Sequence, residues 1–127
     1  MRLSLGIDLG TTNSVVATNA QVLSLQEGDL RVPLLPSAVA FLPDGGAIIG
    51  AGGRERKPID PKNTVYASKR LMGESIFSSQ VREFQRQYPH DIEASPDGGV
   101  QFVTRAGPIR PAEVAALIAS HLCMRAT

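Results

Sequence analysis

The stretch Gly6-Ile7-Asp8-Leu9-Gly10-Thr11-Thr12-Asn13-Ser14 gathers the residue types that hold a metal-bound polyphosphate. Asp8 stands near the end of one apolar run, and Gly10 opens a polar break in which Thr11, Thr12 and Asn13 follow one another. Glycine lets backbone come close to phosphate oxygens, successive turn N–H groups form an anion-binding concavity, and the threonines add hydroxyl donors. A carboxylate repels phosphate alone but attracts it through magnesium, a hard cation that keeps several waters and takes one or two carboxylates. The segment therefore points to a metal nucleotide. The alternative, a plain Gly-Thr turn beside an exposed aspartate, stays open at this point because short turn motifs recur by chance.

Other chemical signals are weaker. Gly50-Ala51-Gly52-Gly53 does not complete a dinucleotide fingerprint, since Glu55 stands where the third glycine is required. His90 and His121 are isolated and read as surface or core histidines rather than metal ligands. Cys123 is the one cysteine, so neither an intrachain disulfide nor a cysteine zinc cluster can form, and it reads as a small apolar side chain on the last helix.

The elements that must carry these residues follow from hydrophobic period and turn chemistry. Leu3–Leu9 and Val15–Thr18 read as a hairpin, with Val22–Leu25 as a third antiparallel strand ending at Glu27-Gly28-Asp29. Ala38–Leu42 and Ala47–Ile49 flank Pro43-Asp44-Gly45-Gly46 as a second hairpin. Asp60-Pro61 and Gly73 bracket a predicted helix over Pro61–Met72, on which Tyr66, Lys69 and Arg70 share a face. A second helix is expected over Ser79–Tyr88 with Val81, Phe84 and Tyr88 as its apolar stripe. A third hairpin is expected across Ser95-Pro96-Asp97-Gly98-Gly99, then a helix from Pro111 burying Val114, Leu117, Ile118 and either His121 or Leu122. Strands first and helices interspersed later indicate a mixed α+β or α/β chain. With no strand after the last helix, the pattern reads as cut short.

With 127 residues, 43% of them hydrophobic, the chain has enough apolar residues for one modest core. Thirteen Lys plus Arg against twelve Asp plus Glu give +1, so no global charge draws nucleic acid or an acidic membrane. The charge is uneven, however: Arg54 to Arg70 holds six basic and two acidic residues, a basic surface in prospect. The longest strongly apolar run, Val114–Ala119, is far short of the ~18 residues that span a bilayer, and Asp8 interrupts any secretion signal. Cytoplasm is the expected compartment.

Ile7-Asp8-Leu9-Gly10-Thr11-Thr12-Asn13-Ser14 resembles the first phosphate motif of the DnaK-type heat-shock chaperones, which belong to the sugar-kinase and actin ATPase superfamily. The resemblance continues in Pro36-Ser37, Asp60-Pro61-Lys62-Asn63-Thr64 and Ser68-Lys69-Arg70-Leu71-Met72-Gly73, in the family's order. It covers the chain to about Gly73 and, more loosely, the helix Pro111–Met124; Lys69–Gly73 and Gln85–His90 resemble the HscA branch, which serves iron–sulfur cluster assembly.

The resemblance implies an actin-like ATPase (ribonuclease H-like) fold, here an incomplete first lobe with its small inserted subdomain. Residues 1–36 would be the opening strands with the phosphate hairpin, 37–110 the inserted subdomain, and 111–127 a helix returning to the first subdomain. It implies ATP or ADP with Mg2+ as ligands. Asp8 would lie in the outer coordination of magnesium, Gly10, Thr11, Thr12 and Asn13 would contact phosphate, and Lys69 would approach the γ-phosphate and the attacking water. Asp8 and Lys69 would thus be the catalytic pair, and Arg70 would lie near interdomain contacts. The implied function is that of a chaperone coupling ATP hydrolysis to capture and release of client polypeptides, with a J-domain co-chaperone and a nucleotide-exchange factor as partners. This stretch alone is expected to bind nucleotide poorly, to lack turnover and to self-associate through an exposed apolar face. Two alternatives remain: a sugar-type small-molecule kinase of the same superfamily, and a non-catalytic module that docks a partner through the basic segment.

Overall fold

Short apolar runs broken by glycine, proline and aspartate build short strands. The computed structural model describes residues 6–17, 25–27, 30–32 and 35–125 and arranges their strands in four small antiparallel sheets. β1 (Gly6–Leu9) and β2 (Asn13–Ala17) form the expected opening hairpin, Leu9 opposite Ser14. The third strand differs from expectation. Residues 22–24 lie outside the described residues, and β3 (Leu25–Glu27) pairs with β4 (Leu30–Val32) in a hairpin of its own. The place beside β2 goes instead to β5 (Leu35–Pro36). Pro36 has no N–H to give a further strand, which suits the edge of this sheet.

β6 (Ala38–Phe41) is buried along its whole length as the centre of the next sheet, between β7 (Ala47–Ile49) and β8 (Thr64–Tyr66). The β6–β7 turn is the predicted one, closed by Leu42 N–H on the Gly46 carbonyl at 2.8 Å. After it the glycine run forms a single helical turn, α1 (Ala51–Arg54). A side chain at Gly53 would meet the Ile48 carbonyl oxygen at 2.6 Å, so this turn lies directly on the sheet.

The largest departure is at Pro61–Met72, which is not one helix. A 3-10 turn over Pro61–Asn63 leads into β8, and a second over Ser68–Leu71 follows Ala67, whose φ of 58° stops the strand. Thr64-Val65-Tyr66 is a β-branched and aromatic run that gains more from lying beside β6, Val65 opposite Val39, than from a helix. Tyr66 therefore does not share a helical face with Lys69 and Arg70. The Asp60 carboxylate makes no cap; it accepts from Asn63 Nδ2 at 3.0 Å and pairs with Arg105.

α2 (Ser79–Gln87) matches expectation, with Ser78 Oγ accepting from Gln80 N–H and Val81 and Phe84 buried. β9 (Ile92–Ala94) and β10 (Val100–Thr104) form the predicted third hairpin, and β11 (Gly107–Ile109), hidden in a Gly-Pro run, adds to it. α3 (Pro111–Arg125) buries Val114, Ile118 and Leu122 at four-residue spacing, with Leu117 half-buried. Cys123 is exposed on this helix, against the expectation of an apolar role.

The helix packs on β1, β2 and the Ser68–Leu71 turn, so one cluster joins Leu35, Val39, Val65, Leu71, Phe102 and the α3 stripe. Beside it stands an aromatic group: Phe84 stacks on Tyr88 at 4.4 Å, and His90 sits edge-on to Tyr66 at 4.7 Å and to Phe102 at 5.5 Å. His90 is thus a core histidine. Among the described residues no helix is long and apolar enough to cross a membrane.

Candidate functional site

The β1–β2 connection is a two-residue bend. Gly10 N–H donates to the Asn13 carbonyl at 3.0 Å, leaving Thr11 and Thr12 as the tip. A Cβ at Gly10 would come closer than 3.0 Å to that carbonyl oxygen, which real side chains do not tolerate. Glycine is therefore required here for the close approach of two backbone segments. On the other side of the bend, the Thr12 carbonyl accepts from Ser37 N–H at 2.8 Å. Next to it the Ser14 and Ser37 hydroxyls bond each other at 2.7 Å, both buried. The bend is thus closed on itself by one bond and fastened at two points to Ser37, just beyond β5.

Lys69 comes from the 3-10 turn Ser68–Leu71. In a 3-10 turn, residues three apart eclipse. Ser68 and Leu71 both point inward and are buried, which directs Lys69 and Arg70 outward. The turn is held by packing against α3 and α2.

Between the bend and this turn lies a cavity of about 300 Å³ lined by Leu9, Gly10, Thr11, Ser14, Ser37, Ser68, Lys69 and Met72, with Ala115 and Ile118 of α3 as its floor. Gly10, Thr11 and Lys69, three residues singled out from sequence, are thus brought together. Thr12 lines a neighbouring cavity instead. Asn13 contributes its carbonyl to the bend and stands opposite Pro36 in the sheet. Asp8 is placed by its backbone in β1, opposite Val15 and two residues ahead of Gly10. Ser14 and Ser37 were not picked out for this site. Pro36-Ser37 carries only a resemblance, and nothing in the sequence says that a serine 23 residues away from another will meet it.

The chemistry of the lining suits a phosphate chain better than a whole nucleotide. Its volume lies at the bottom of the ~300–1,000 Å³ range of small-molecule sites. Its polar lining is one lysine, one threonine, the glycine and the serines Ser14, Ser37 and Ser68, and no carboxylate is among the described lining residues. An anion is the matching ligand, and a carboxylate at Asp8 fits magnesium carried by that anion. On its opposite side the Thr11–Ser37 wall borders the second cavity, of about 160 Å³, where Thr11, Thr12 and Ser37 meet Arg54, Lys57, Tyr66, Arg70 and Tyr88. The Lys57 ammonium lies 3.8 Å from the Tyr66 ring centre. Burial, and then the nearby Arg54 charge, push the Lys57 pKa down, while burial raises that of Tyr66. Three of the six basic residues noted in the sequence therefore converge here rather than spreading over a face.

The Hsp70 protein family model matches residues 4–127. Chaperone protein HscA of Edwardsiella ictaluri is 44% identical over 132 residues, which cover 98% of this chain and 20% of that protein. The chaperone protein HscA homolog of Ralstonia pickettii is 44% identical over 126 residues with the same coverage, and that of Azotobacter vinelandii 42% over 130. The chain spans about a fifth of the length of these curated relatives. A glycine-anchored bend, a lysine facing it across an anion-sized cavity and a family match from end to end agree: this chain belongs to the Hsp70 family, and its mixed α+β architecture is part of that family's actin-like nucleotide-binding fold.

Proposed function

We propose that this chain supplies one wall of the nucleotide site of an ATP-driven chaperone, the wall that grips the phosphate tail. The observation that carries this reading is the placement of Lys69 on the same cavity as Gly10 and Thr11. Phosphoryl transfer needs positioning and charge neutralisation more than covalent chemistry from the protein. Lys69 neutralises charge at the outermost phosphoryl group and orients the attacking water. Gly10 and Thr11 fix the phosphate chain, Thr12 and Asn13 shape the bend that presents them, and Asp8 would hold magnesium. Bound magnesium supplies Lewis-acid polarisation of the phosphoryl oxygens. In this reading residues 1–36 and 111–127 form the base that carries the bend, and 37–110 form the small subdomain that carries Lys69.

The longer protein of which such a wall is part would couple ATP hydrolysis to binding and release of client polypeptides, with a J-domain co-chaperone and an exchange factor, in the cytoplasm. The similarity to HscA chaperones supports a specialised role in iron–sulfur cluster assembly over a general heat-shock one. A cavity of this size leaves the nucleoside to be held elsewhere, so this stretch alone is expected to bind weakly and not to turn over.

Titration of the 15N-labelled chain with Mg-ATP tests the site. Shifts should concentrate at Gly10–Asn13 and weaken at least tenfold in Lys69→Ala and Asp8→Asn. Amides of the bend that stay still, or an equal response in Lys69→Ala, would overturn the assignment, and multiple turnovers by the 127-residue chain would overturn its inactivity.

A further inference from the structure

We infer that the second cavity, on the far side of the Thr11–Ser37 wall, is a separate binding site for a single tetrahedral oxyanion, a phosphate or phosphoryl group, held by Arg54, Lys57 and Arg70 together with the threonine hydroxyls. It does not depend on the first cavity taking nucleotide.

Geometry carries the inference. Arg54 from α1, Lys57 just after it and Arg70 from the 3-10 turn reach the same 160 Å³ space from two separate elements. None of the three takes part in an ion pair among the described residues, although Lys62, Arg86, Arg105 and Arg110 all do. No carboxylate is among the described lining residues. Cations brought together without counter-charge repel one another, and a half-enclosed space with low-dielectric walls strengthens that repulsion. The local field is therefore one that an anion relieves. Lys57 reports it independently: burial and Arg54 both disfavour its charged form, and the electron-rich face of Tyr66 is the partner it has.

The size of the space selects the occupant. It amounts to about five water volumes at ~30 Å³ each, room for one tetrahedral oxyanion with part of its hydration. Pro36, Ala38 and Ala67 supply its apolar lining. Two guanidinium forks, an ammonium and hydroxyls arriving from different directions match four oxygens better than the two of a carboxylate.

The chain contains two tyrosines and no tryptophan, and both tyrosines, Tyr66 and Tyr88, line this cavity. Intrinsic tyrosine emission is therefore a reporter of this site. Inorganic phosphate, added to the 127-residue chain at ionic strength held constant with chloride, should change the emission saturably. Arg70→Gln and Arg54→Gln, both at exposed positions, should weaken the midpoint at least tenfold with unchanged far-UV circular dichroism, and Lys69→Gln should leave it within twofold. If phosphate is silent but Mg-ATP gives a saturable change with the same dependence on Arg54 and Arg70, the site stands and its phosphoryl group arrives on a nucleotide. A silent response to both ligands, a response that survives both arginine variants, or one lost equally in Lys69→Gln overturns the site. The last outcome would place the anion in the first cavity and leave the nucleotide reading intact.

Discussion

The bend at Thr11–Thr12 and the aromatic group behind it are held by opposite means. The bend is fixed by directed bonds: Gly10 to Asn13, Ser37 to Thr12 and the buried Ser14–Ser37 hydroxyl pair. The aromatic group around Phe84, Tyr88, His90 and Phe102 is fixed by contact area and ring geometry. Directed bonds set atom positions closely, and area supplies stability with looser placement. A surface that grips ligand oxygens needs the first, and a support that only has to stay folded can use the second.

Breaking the support should therefore cost the most stability. Phe84→Ala, which removes a buried ring, is expected to lose ~3–5 kcal/mol in chemical denaturation. Next comes Gly10→Ala, where a methyl group forced against the Asn13 carbonyl should lose ~1–3 kcal/mol and displace the Thr11 and Thr12 amide signals, whereas Phe84→Ala should move them little. Ser14→Ala leaves the Ser37 hydroxyl buried without its partner and should lose ~1–3 kcal/mol, most of it recovered in Ser14→Ala with Ser37→Ala. That recovery, measured as a double-mutant cycle, is the sharpest test of directed bonding in the bend.

Acid should act on the support through His90. Burial holds its pKa below the ordinary 6.5 against the raising effect of hydrogen bonds to the Tyr66 and Pro61 backbone, with Lys57 adding a lesser push downward and Asp91 a still smaller one upward. The unfolded chain then takes up the proton first, so stability is lost as pH falls from about 6.5 to the lower folded-state value. His90→Gln should flatten the urea midpoint over that window. The smallest change in stability is expected for Lys69→Gln, within ~0.5 kcal/mol because the side chain is exposed, with the phosphate grip nonetheless lost.

The bend was legible in sequence because its signal is local: Asp8 to Asn13 fall within six consecutive residues, and glycine with two threonines marks the turn. The hairpin at Ser95–Gly99 and the α3 stripe were legible for the same reason, one from turn residues and one from period. What failed depends on distant partners. Asp60-Pro61 looked like a helix start, yet Val65 is claimed by Val39, and the Asp60 carboxylate by Arg105 and Asn63. Lys69 was singled out by resemblance, while its local structure, a 3-10 turn rather than a helix, was misread. The Ser14–Ser37 pair, the one-turn helix at Ala51–Arg54 and the convergence of Arg54, Lys57 and Arg70 arise only once the sheets meet.

The 3-10 turn at Ser68–Leu71 also acts as a selector. With three residues per revolution, neighbouring side chains point about 120° apart, so Lys69 serves one hollow and Arg70 the other. Deleting a single residue just ahead of Lys69 would bring Arg70 to the first hollow and Leu71 to the second, and inserting one would carry Lys69 round to the second. Spacing here thus carries as much information as side-chain identity, and a length change in this segment should be more harmful than most point changes.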